Sequence, residues 1–419
     1  MRVVLKRFKI INRRKLLLTA LVDLVGNAVS LPGKLLGGRS GVPAPLPGQS
    51  DVREILVVRT SYIGDVIMTL PILRPLKERF PQARVTFLTS RAASEVLRTN
   101  PWVDEVMSFD PFWFYPSSGG DYVRFMRGLR GRSFDLVIEA RGDIRELLLL
   151  VGPLKVACKV SYDVGGGGFL LTHVVPYEGL RHKVRYHMGL VGYLGCRVDR
   201  IDWGFYLTPE ERARALEILN VHGIEPPFFA LHPGSRMPLK QWPVHRYAML
   251  CDMLAEEYAM PIVVFGSKAD RDSVVGVRRR VRHGVVDLSE ALTLREFAAV
   301  IAHCRLLVCN DSAPMHVAAC EGVPTVAIFG PSKSVETAPY GDIHSVVEKD
   351  FPCRYSCDEA ICRHRRHHAC MLDISVQDVF DAVKKLNPAK TDNGGGCMTT
   401  VDSGAVLPHV RIYSILFKK

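Results

Sequence analysis

The stretch that decides the fold is ILVVRTSYIGDV, residues 55–66. It begins with an unbroken apolar run, Ile55–Arg59, and passes through a short polar turn into a helical pattern that starts near Asp65. Strands that are buried on both faces of a parallel sheet have this continuous apolar character. The stretch therefore predicts a buried parallel strand followed by a helix, which is the repeating unit of α/β sheets.

The same alternation extends along the chain in two series. In the first series we predict a helix over 65–79, strands at 84–89 and 135–139, a short helix at 94–99, and a helix ending near 150. Residues 110–133 are rich in aromatics, Gly, Ser and Arg, and we interpret them as a long surface insertion; residues 161–204 are less regular.

The second series begins after a helix whose start is marked by Thr208 as N-cap, Pro209 at the first position and Glu211 at the third. That helix is predicted to end near His222. Strands are predicted at 228–232, 261–266, 285–288, 306–310 and 325–329, with helices at 244–258, 270–281, 293–303, 313–321 and 374–386.

The length of 419 residues fits two domains. We predict an α/β protein with two Rossmann-like parallel-sheet domains, at 51–207 and 208–386. Residues 1–50 form a basic extension that ends in a Gly/Pro linker, and residues 387–419 are predicted to be a disordered tail.

Composition limits the class of partner. The net charge of +12 indicates an anionic partner, either a nucleic acid, a phosphorylated substrate or a membrane surface, or else serves solubility alone. No helix-turn-helix, RRM or zinc-finger pattern is present, which argues against nucleic acid. Eleven cysteines in 419 residues are too few for a secreted disulfide scaffold, so we expect a reducing, cytoplasmic compartment.

The N-terminus leaves three alternatives. Seven basic residues precede the apolar run 16–22, which Asp23 interrupts. The segment is either a basic amphipathic helix on an anionic membrane, a loosely packed extension, or a signal peptide, although no small-residue cleavage site follows. No apolar run reaches the roughly 18–20 residues that span a bilayer.

Three polar turns follow predicted strands, where ligands bind in open α/β sheets. In the first, Asp65 lies in the first turn of a helix and is either a general base for a hydroxyl nucleophile or a carboxylate favoured by the helix dipole. The second turn is His-Pro-Gly-Ser-Arg at 232–236, with Lys240 and Trp242 close behind. Its backbone N–H groups fit a phosphate, and Lys240 is either a stabiliser of a departing diphosphate or a solvated loop lysine.

The third turn is Asn-Asp-Ser-Ala-Pro-Met-His at 310–316. Asp311 or Ser312 would cap the following helix, whose free N–H groups could hold a diphosphate. No Gly-x-Gly-x-x-Gly follows a strand, which argues against a dinucleotide dehydrogenase. There is no obvious Asp-x-Asp metal motif either, so a metal need not hold the diphosphate.

These three motifs, in this order and spacing, resemble glycosyltransferase family 9, the ADP-heptose:lipopolysaccharide heptosyltransferases, over roughly residues 53–386. The late Cys/His segment looks like the C-terminal region of the family's second heptosyltransferase. The resemblance implies a GT-B fold with the acceptor on the first domain and an ADP-sugar on the second. It implies inverting transfer to the lipopolysaccharide inner core at the inner face of the inner membrane, with no cofactor and no metal.

The resemblance also assigns roles. Asp65 would deprotonate the acceptor hydroxyl and Lys240 would stabilise the leaving diphosphate. Arg141 and Arg145 are either contacts for a phosphorylated acceptor or surface ion-pair partners. The residues that would line the substrates are Ser61, Gly64, Gly234, Ser235, Asp270, Asp311, Ser312, Ala313, Met315 and His316.

Four cysteines cluster late in the chain, with three histidines among them. Their spacing does not form two Cys-x2-Cys pairs, so they are either a metal site or reduced structural thiols. The four are Cys353, Cys357, Cys362 and Cys370.

Two other functions remain open at this point. One is a related transferase that uses another nucleotide sugar or a protein acceptor. The other is a non-catalytic basic module that binds anionic lipid or nucleic acid, for which replacing Asp65 would change nothing.

Overall fold

Two six-stranded parallel sheets organise the chain in a computed structural model, which describes residues 9–10, 13–36, 45–357 and 359–387, with only the backbone of Arg13 and of residues 31–36. Numbered along the chain within each sheet, both have the strand order 3-2-1-4-5-6, the order of dinucleotide-binding folds. The predicted α/β class with two Rossmann-like domains is confirmed. Most of the predicted linker and all of the predicted tail after Asn387 lie outside the described residues.

The first sheet is built from strands whose central members are fully buried. Its strands are β1 (Glu54–Arg59), β2 (Arg84–Thr89), β3 (Glu105–Ser108), β4 (Leu136–Glu139), β5 (Cys158–Ser161) and β6 (His173–Val174). The helices of this half are α1 (Arg13–Leu36), α2 (Ile63–Ile67), α3 (Leu73–Arg79), α4 (Arg91–Ser94), α5 (Gly119–Arg130), α6 (Ile144–Glu146) and α7 (Lys183–Tyr193). Short 3-10 turns lie at Gln49–Asp51, Leu70–Ile72, Glu95–Leu97 and Gly168–Leu170, and a π turn at Leu147–Val151.

The interpretation of residues 110–133 as a surface insertion is wrong. They contain α5, which a capping box between Ser118 and Asp121 initiates and which buries Met126 and Leu129 against the sheet. The segment is the crossover from β3 to β4, and β3 was not predicted. The supposedly irregular stretch 161–204 likewise contains β6 and α7.

The helix predicted over 65–79 is divided into α2, a 3-10 turn and α3. Pro71 lies in the turn and Pro75 near the start of α3. Proline lacks the amide N–H that a continuous helix needs, so the division follows from the sequence. The predicted end before Phe80-Pro81 is confirmed.

The second sheet contains the five strands that the apolar pattern predicted and one more. Its strands are β7 (Phe228–His232), β8 (Ile262–Val264), β9 (Val286–Asp287), β10 (Cys304–Asn310), β11 (Thr325–Phe329) and β12 (Ser345–Glu348). The helices are α8 (Pro209–Val221), α9 (Val244–Tyr258), α10 (Arg271–Arg278), α11 (Leu294–Ile301), α12 (Ala313–Cys320), α13 (Ser334–Thr337), α14 (Ala369–Leu372) and α15 (Val376–Leu386). Further 3-10 turns lie at Pro238–Lys240, Lys268–Asp270 and Pro352–Ser356.

The start of α8 is confirmed in detail. The Thr208 hydroxyl accepts a hydrogen bond from Glu211 N, and the Glu211 carboxylate accepts one from Thr208 N, which forms the predicted capping box around Pro209. β12 was not predicted because its four residues are only partly buried at the sheet edge.

The N-terminal helix α1 lies on the glycine-rich loop 165–168 of the first domain. Among the described residues, no helix combines the length and apolarity needed to cross a bilayer. The signal-peptide alternative is not tested by this structure.

Arg295 on α11 links the two halves of the chain. Its side chain is 3% exposed, and its Nε and Nη2 donate to the two Glu211 carboxylate oxygens at 2.5 and 2.6 Å. The same guanidinium donates to Glu95 O and Thr99 Oγ1 of the first domain, both at 3.1 Å. We expect Arg295→Met to lower the free energy of unfolding by about 1–3 kcal/mol, because the partly buried acceptors Glu95 O and Thr99 Oγ1 lose their donor and Glu211 keeps only Arg98 as a cationic partner; urea unfolding measures this.

The loss of stability in the Arg295→Met variant should depend on pH. The Arg295 hydrogen bonds, helped by those from Thr208 N and Arg98, outweigh burial and lower the pKa of Glu211 from 4.5 to about 2. The contribution of the Arg295 pair to stability is therefore complete above pH 4.5 and disappears as the pH falls towards 2. Arg214→Met, which removes an exposed pair with Glu217, is the control and should change stability by less than about 1 kcal/mol. Equal stability of the two variants at pH 7 would contradict the prediction.

Candidate active site

Asp65 lies in α2, just beyond the carboxyl end of β1, and is held between two cations. Its Oδ1 accepts hydrogen bonds from Arg59 Nη2 and Lys183 Nζ, both at 2.9 Å. Burial raises the pKa of the carboxyl, but the charges of Lys183, Arg59 and Arg141 outweigh burial and hold it well below its usual range. Asp65 is therefore an ionised carboxylate at neutral pH, with its position fixed from two sides.

The turn at Gly64 meets the second domain directly. A Cβ added at Gly64 would lie 2.7 Å from Cδ2 of His316 and 3.7 Å from the Ala313 Cα, so only a glycine permits this approach. On the other side of the turn, the Arg236 guanidinium lies 3.8 Å from the centre of the Tyr62 ring. The expected convergence of the three polar turns at one gap between the domains is present.

Asn310 joins two loops of the second domain. Its Nδ2 donates to Pro233 O at 2.8 Å and to Gly234 O at 3.2 Å, while its Oδ1 accepts from Trp242 N and from the Tyr247 hydroxyl, both at 3.0 Å. All four side-chain bonds of this fully buried residue fix the 232–236 turn against the loop that carries Lys240. Sequence analysis assigned Asn310 no role, although an amide at the end of a buried strand was the available signal.

Lys240 is a fixed positive charge beside the third turn. Its Nζ lies 2.8 Å from Asp311 Oδ2 and 2.7 Å from Glu359 Oε2. Burial lowers the pKa of the ammonium, but Asp311 and Glu359 outweigh burial and raise it above its ordinary value. Glu359, which sequence analysis missed, comes from the cysteine-rich segment.

The other predicted donor-side residues surround Lys240 in different ways. Ser235 Oγ donates to Asp311 O at 3.3 Å, and Ser312 is the N-cap of α12 with its hydroxyl directed to Asn310 O at 3.2 Å. The Ser312 side chain makes no capping bond. Burial lowers the pKa of His316 to about 4, so its ring is neutral at pH 7.

Two predicted contacts are placed differently from the others. The Met315 side chain is fully buried in the core, so the predicted contact with the sugar is left to its backbone. Asp270 lies beneath the 232–236 turn: its Oδ1 would be 2.0 Å from a Cβ at Gly234, and its Oδ2 is 3.6 Å from His232 Nε2. Its predicted contact with a ribose stays a prediction.

An aromatic and cationic wall flanks Asp65 on the first domain. The guanidinium carbons of Arg141 and Arg145 each lie 4.6 Å from the centre of the Phe114 ring, a cation–π geometry. Tyr62 contacts Phe114 and Tyr115 edge-on. We call these five residues the acceptor wall.

The acceptor wall is anchored at both ends. The Tyr115 hydroxyl donates to Ser61 O at 3.0 Å. Arg145 Nη2 and Arg141 Nε lie 2.7 and 3.4 Å from Asp143 Oδ2, so both arginines share an ion-pair partner. The rings of Phe114 and Tyr115 come from the segment 110–133 that was interpreted as an insertion, and Tyr62 comes from the first polar turn, so only the two arginines were predicted.

A buried pair of carboxyls supports the loop that carries Arg141. Glu139 accepts from Ser161 Oγ and from Gly142 N, both at 2.6 Å, and Glu146 accepts from Thr60 N at 3.2 Å. Burial, with the nearby charge of Glu146, raises the pKa of Glu139 well above its usual range. Glu139 therefore takes up a proton more readily than an exposed glutamate, and its bond from Gly142 N holds the loop in place.

The four late cysteines surround one cavity of about 760 Å³, together with His364 and His368. In the part of the chain that the structure describes, no group of three or more His, Cys, Asp or Glu side chains is arranged to hold a metal ion. No disulfide joins any two of these four cysteines, which fits the alternative of reduced structural thiols.

Two parallel-sheet domains whose polar turns meet at one gap define a glycosyltransferase of the GT-B fold, and solved structures share this architecture. A family 9 glycosyl transferase from Veillonella parvula has a TM-score of 0.68 and 24% identity, covering 82% of this chain and 99% of that chain. The ADP-heptose lipopolysaccharide heptosyltransferase II of E. coli has a TM-score of 0.64 and 22% identity, covering 80% and 98%.

Sequence comparison gives the family. The model for glycosyltransferase family 9 (heptosyltransferase) matches residues 122–365, and the chain belongs to this family. Lipopolysaccharide heptosyltransferase 3 of Escherichia coli is 24% identical over 348 residues, 79% of this chain and 98% of that protein. Lipopolysaccharide heptosyltransferase 2 of Salmonella typhimurium is 23% identical over 351 residues, 80% and 98%. Relatives of types 2 and 3 both match, so the particular likeness to the second heptosyltransferase stays a prediction.

Proposed function

We propose that this enzyme transfers a heptose from ADP-heptose to a hydroxyl of the lipopolysaccharide inner core, with inversion and without a metal ion. The observation that carries the proposal is the meeting of an ionised carboxylate, Asp65, with the His316 turn of the second domain, beside the fixed charge of Lys240. A base and a cationic, amide-lined pocket on opposite sides of one gap are what displacement of a nucleoside diphosphate requires.

In the proposed step, the acceptor oxygen attacks the anomeric carbon on the face opposite the diphosphate. The bond from that carbon to the diphosphate oxygen breaks, and its electron pair leaves with the ADP. The proton of the acceptor hydroxyl passes to Asp65. Attack from the opposite face inverts the anomeric centre.

The donor side explains why the proposal needs no metal. Negative charge grows on the departing diphosphate, and Lys240 with the N–H groups of the 232–236 and 310–316 turns would stabilise it in the transition state. The names of the relatives support the choice of donor, since the structural neighbour from E. coli is an ADP-heptose enzyme.

The acceptor side supports a phosphorylated sugar. Arg141 and Arg145 are held by Asp143 and by the Phe114 ring, and the charge of Arg141 helps to lower the pKa of Asp65. Guanidinium groups bind phosphate in a bidentate manner, and aromatic faces pack on sugar rings. Because such an acceptor is attached to lipid A, the proposal places the reaction at the cytoplasmic face of the inner membrane.

A screen of nucleotide sugars tests the proposal. The purified chain is incubated with a heptose-deficient lipopolysaccharide and with ADP-heptose, UDP-sugars or GDP-sugars, with and without EDTA. We expect release of ADP only, dependent on the acceptor and unaffected by the chelator, and a product whose new linkage has the inverted configuration by NMR. Release of UDP or GDP alone would overturn the donor, and loss of activity with EDTA would overturn the metal-independent step.

A further inference from the structure

Helix α1 turns polar and small residues towards the protein and apolar residues towards solvent, which is the opposite of a helix that packs on a soluble domain. The residues that face the protein include Thr19 and Asp23, both buried, and Gly26. The outward face carries six large aliphatic side chains, each 53–75% exposed. They are Leu17, Leu18, Leu21, Leu24, Val25 and Val29, and we call them the outer stripe.

The spacing of the outer stripe places it on one face. Leu17, Leu21 and Leu24 follow one another at four and three residues, as do Leu18, Val25 and Val29 at seven and four, which is the period of one helical side. Scattered exposed leucines are normal on protein surfaces, but a continuous stripe of six marks an interaction site.

The contacts of the inner face prevent α1 from rotating to bury this stripe. Asp23 Oδ1 accepts a hydrogen bond from Gly167 N at 2.6 Å. A Cβ at Gly166 would lie 2.5 Å from Thr19 Cγ2, and one at Gly26 would lie 2.3 Å from the Phe169 ring. The helix is therefore fitted to the 165–169 loop through its small and polar residues, and the stripe is directed away from the domain.

The charge next to the stripe identifies its partner. The first fifteen residues contain seven Arg or Lys and no Asp or Glu. Of these, Lys9 is paired with Glu336, whereas Arg14 and Lys15 are exposed on α1 itself. A second copy of this chain would bring two such basic segments together, which charge repulsion opposes. An anionic lipid surface instead attracts the segment and accepts aliphatic side chains beneath its headgroups.

We propose that α1 is a membrane-docking helix that lies in the plane of an anionic phospholipid surface, with the outer stripe inserted among the acyl chains and with Arg14 and Lys15 at the headgroups. The helix binds one face of the bilayer and does not cross it. This is a binding activity separate from the proposed sugar transfer.

The position of α1 relates docking to the site. Its loop is tied to the acceptor side of the molecule by a parallel bridge between Asp143 and Gly165. Asp143 is the residue that holds Arg141 and Arg145. Docking through α1 therefore holds the acceptor wall close to the surface on which a lipid-linked acceptor lies.

Vesicle sedimentation tests the proposal with the full chain. Vesicles of phosphatidylcholine alone, and of equal parts of phosphatidylcholine and phosphatidylglycerol, are pelleted with the wild-type protein at low and high salt. The test variant is Leu17→Glu/Leu21→Glu/Val25→Glu. The control is Leu216→Glu/Val221→Glu, which makes the same kind of change at exposed aliphatic positions of α8.

We expect the wild type and the control to bind the anionic vesicles, with weaker binding at high salt, and the triple variant to bind at least about tenfold more weakly. Turnover of a water-soluble, deacylated acceptor should be unchanged in the triple variant, which separates this proposal from that of the sugar transfer. Failure of the wild type to bind anionic vesicles at low salt, or equal binding by the triple variant, would overturn it. A wild-type dimer that the triple variant loses, without vesicle binding, would assign the stripe to a second copy instead.

Discussion

Asp65→Asn is expected to lower the rate of sugar transfer by about 10²–10⁴-fold while leaving the fold and donor affinity intact. The amide has the same shape and can still accept hydrogen bonds from Arg59 and Lys183, but it cannot take a proton from the acceptor hydroxyl. Initial rates of ADP release at saturating substrates measure the effect. Calorimetric titration with ADP checks that the second domain still binds the nucleotide.

The control for this variant is Asp199→Asn, which alters an exposed carboxylate paired with Arg197 and should keep wild-type activity. Circular dichroism and thermal unfolding of both variants verify folding. If Asp65→Asn retained more than about a tenth of the activity, proton transfer would not depend on this carboxylate, since a general base contributes at least about 10²-fold.

Lys240→Met is the second change with a large expected effect, a loss of about 10²–10³-fold in kcat. The ammonium would no longer oppose the charge on the leaving diphosphate. In addition, Asp311 and Glu359, which it now neutralises at 2.8 and 2.7 Å, would remain as two uncompensated carboxylates beside that charge. The effect should fall mainly on kcat, because the interaction strengthens as the bond breaks.

Lys155→Met, at an exposed lysine of the first domain, controls for the loss of one positive charge. Lys240→Arg keeps the charge and should recover part of the lost rate. A Lys240→Met enzyme with normal kcat and a raised KM would show that the lysine binds the donor in the ground state alone.

The sequence predicts best the parts of the fold that burial dominates. β1, β7 and β11 lie where continuous apolar runs placed them, because a strand covered on both faces admits few polar residues. β3 and β12 escaped prediction since they are short and half-exposed near or at the sheet edges. Helix α5 was not predicted because it begins with Ser118-Gly-Gly, a sequence typical of a loop. The structure shows that Ser118 is the N-cap and forms a capping box with Asp121.

The site was predictable where one turn carries it and unpredictable where distant segments meet. Asp65 and Lys240 stand in recognisable motifs after strands. Lys183 comes from α7, 118 residues beyond Asp65, and Glu359 comes from a segment that was interpreted either as a metal site or as reduced structural thiols. The spacing and periodicity of the sequence do not predict such partners, because only tertiary packing brings these distant residues to the gap.

The contact between Gly64 and His316 sets the spacing of the two lobes at the place where the reacting groups meet. The His316 imidazole packs directly against the Gly64 backbone, so the two domains approach to van der Waals contact at this point. Any larger residue at position 64 would push the domains apart. A mechanical stop of this kind, unlike an attraction between charges, is not weakened by dissolved ions. The smallest width that the gap beside Asp65 can reach should therefore not depend on the ionic strength around the enzyme.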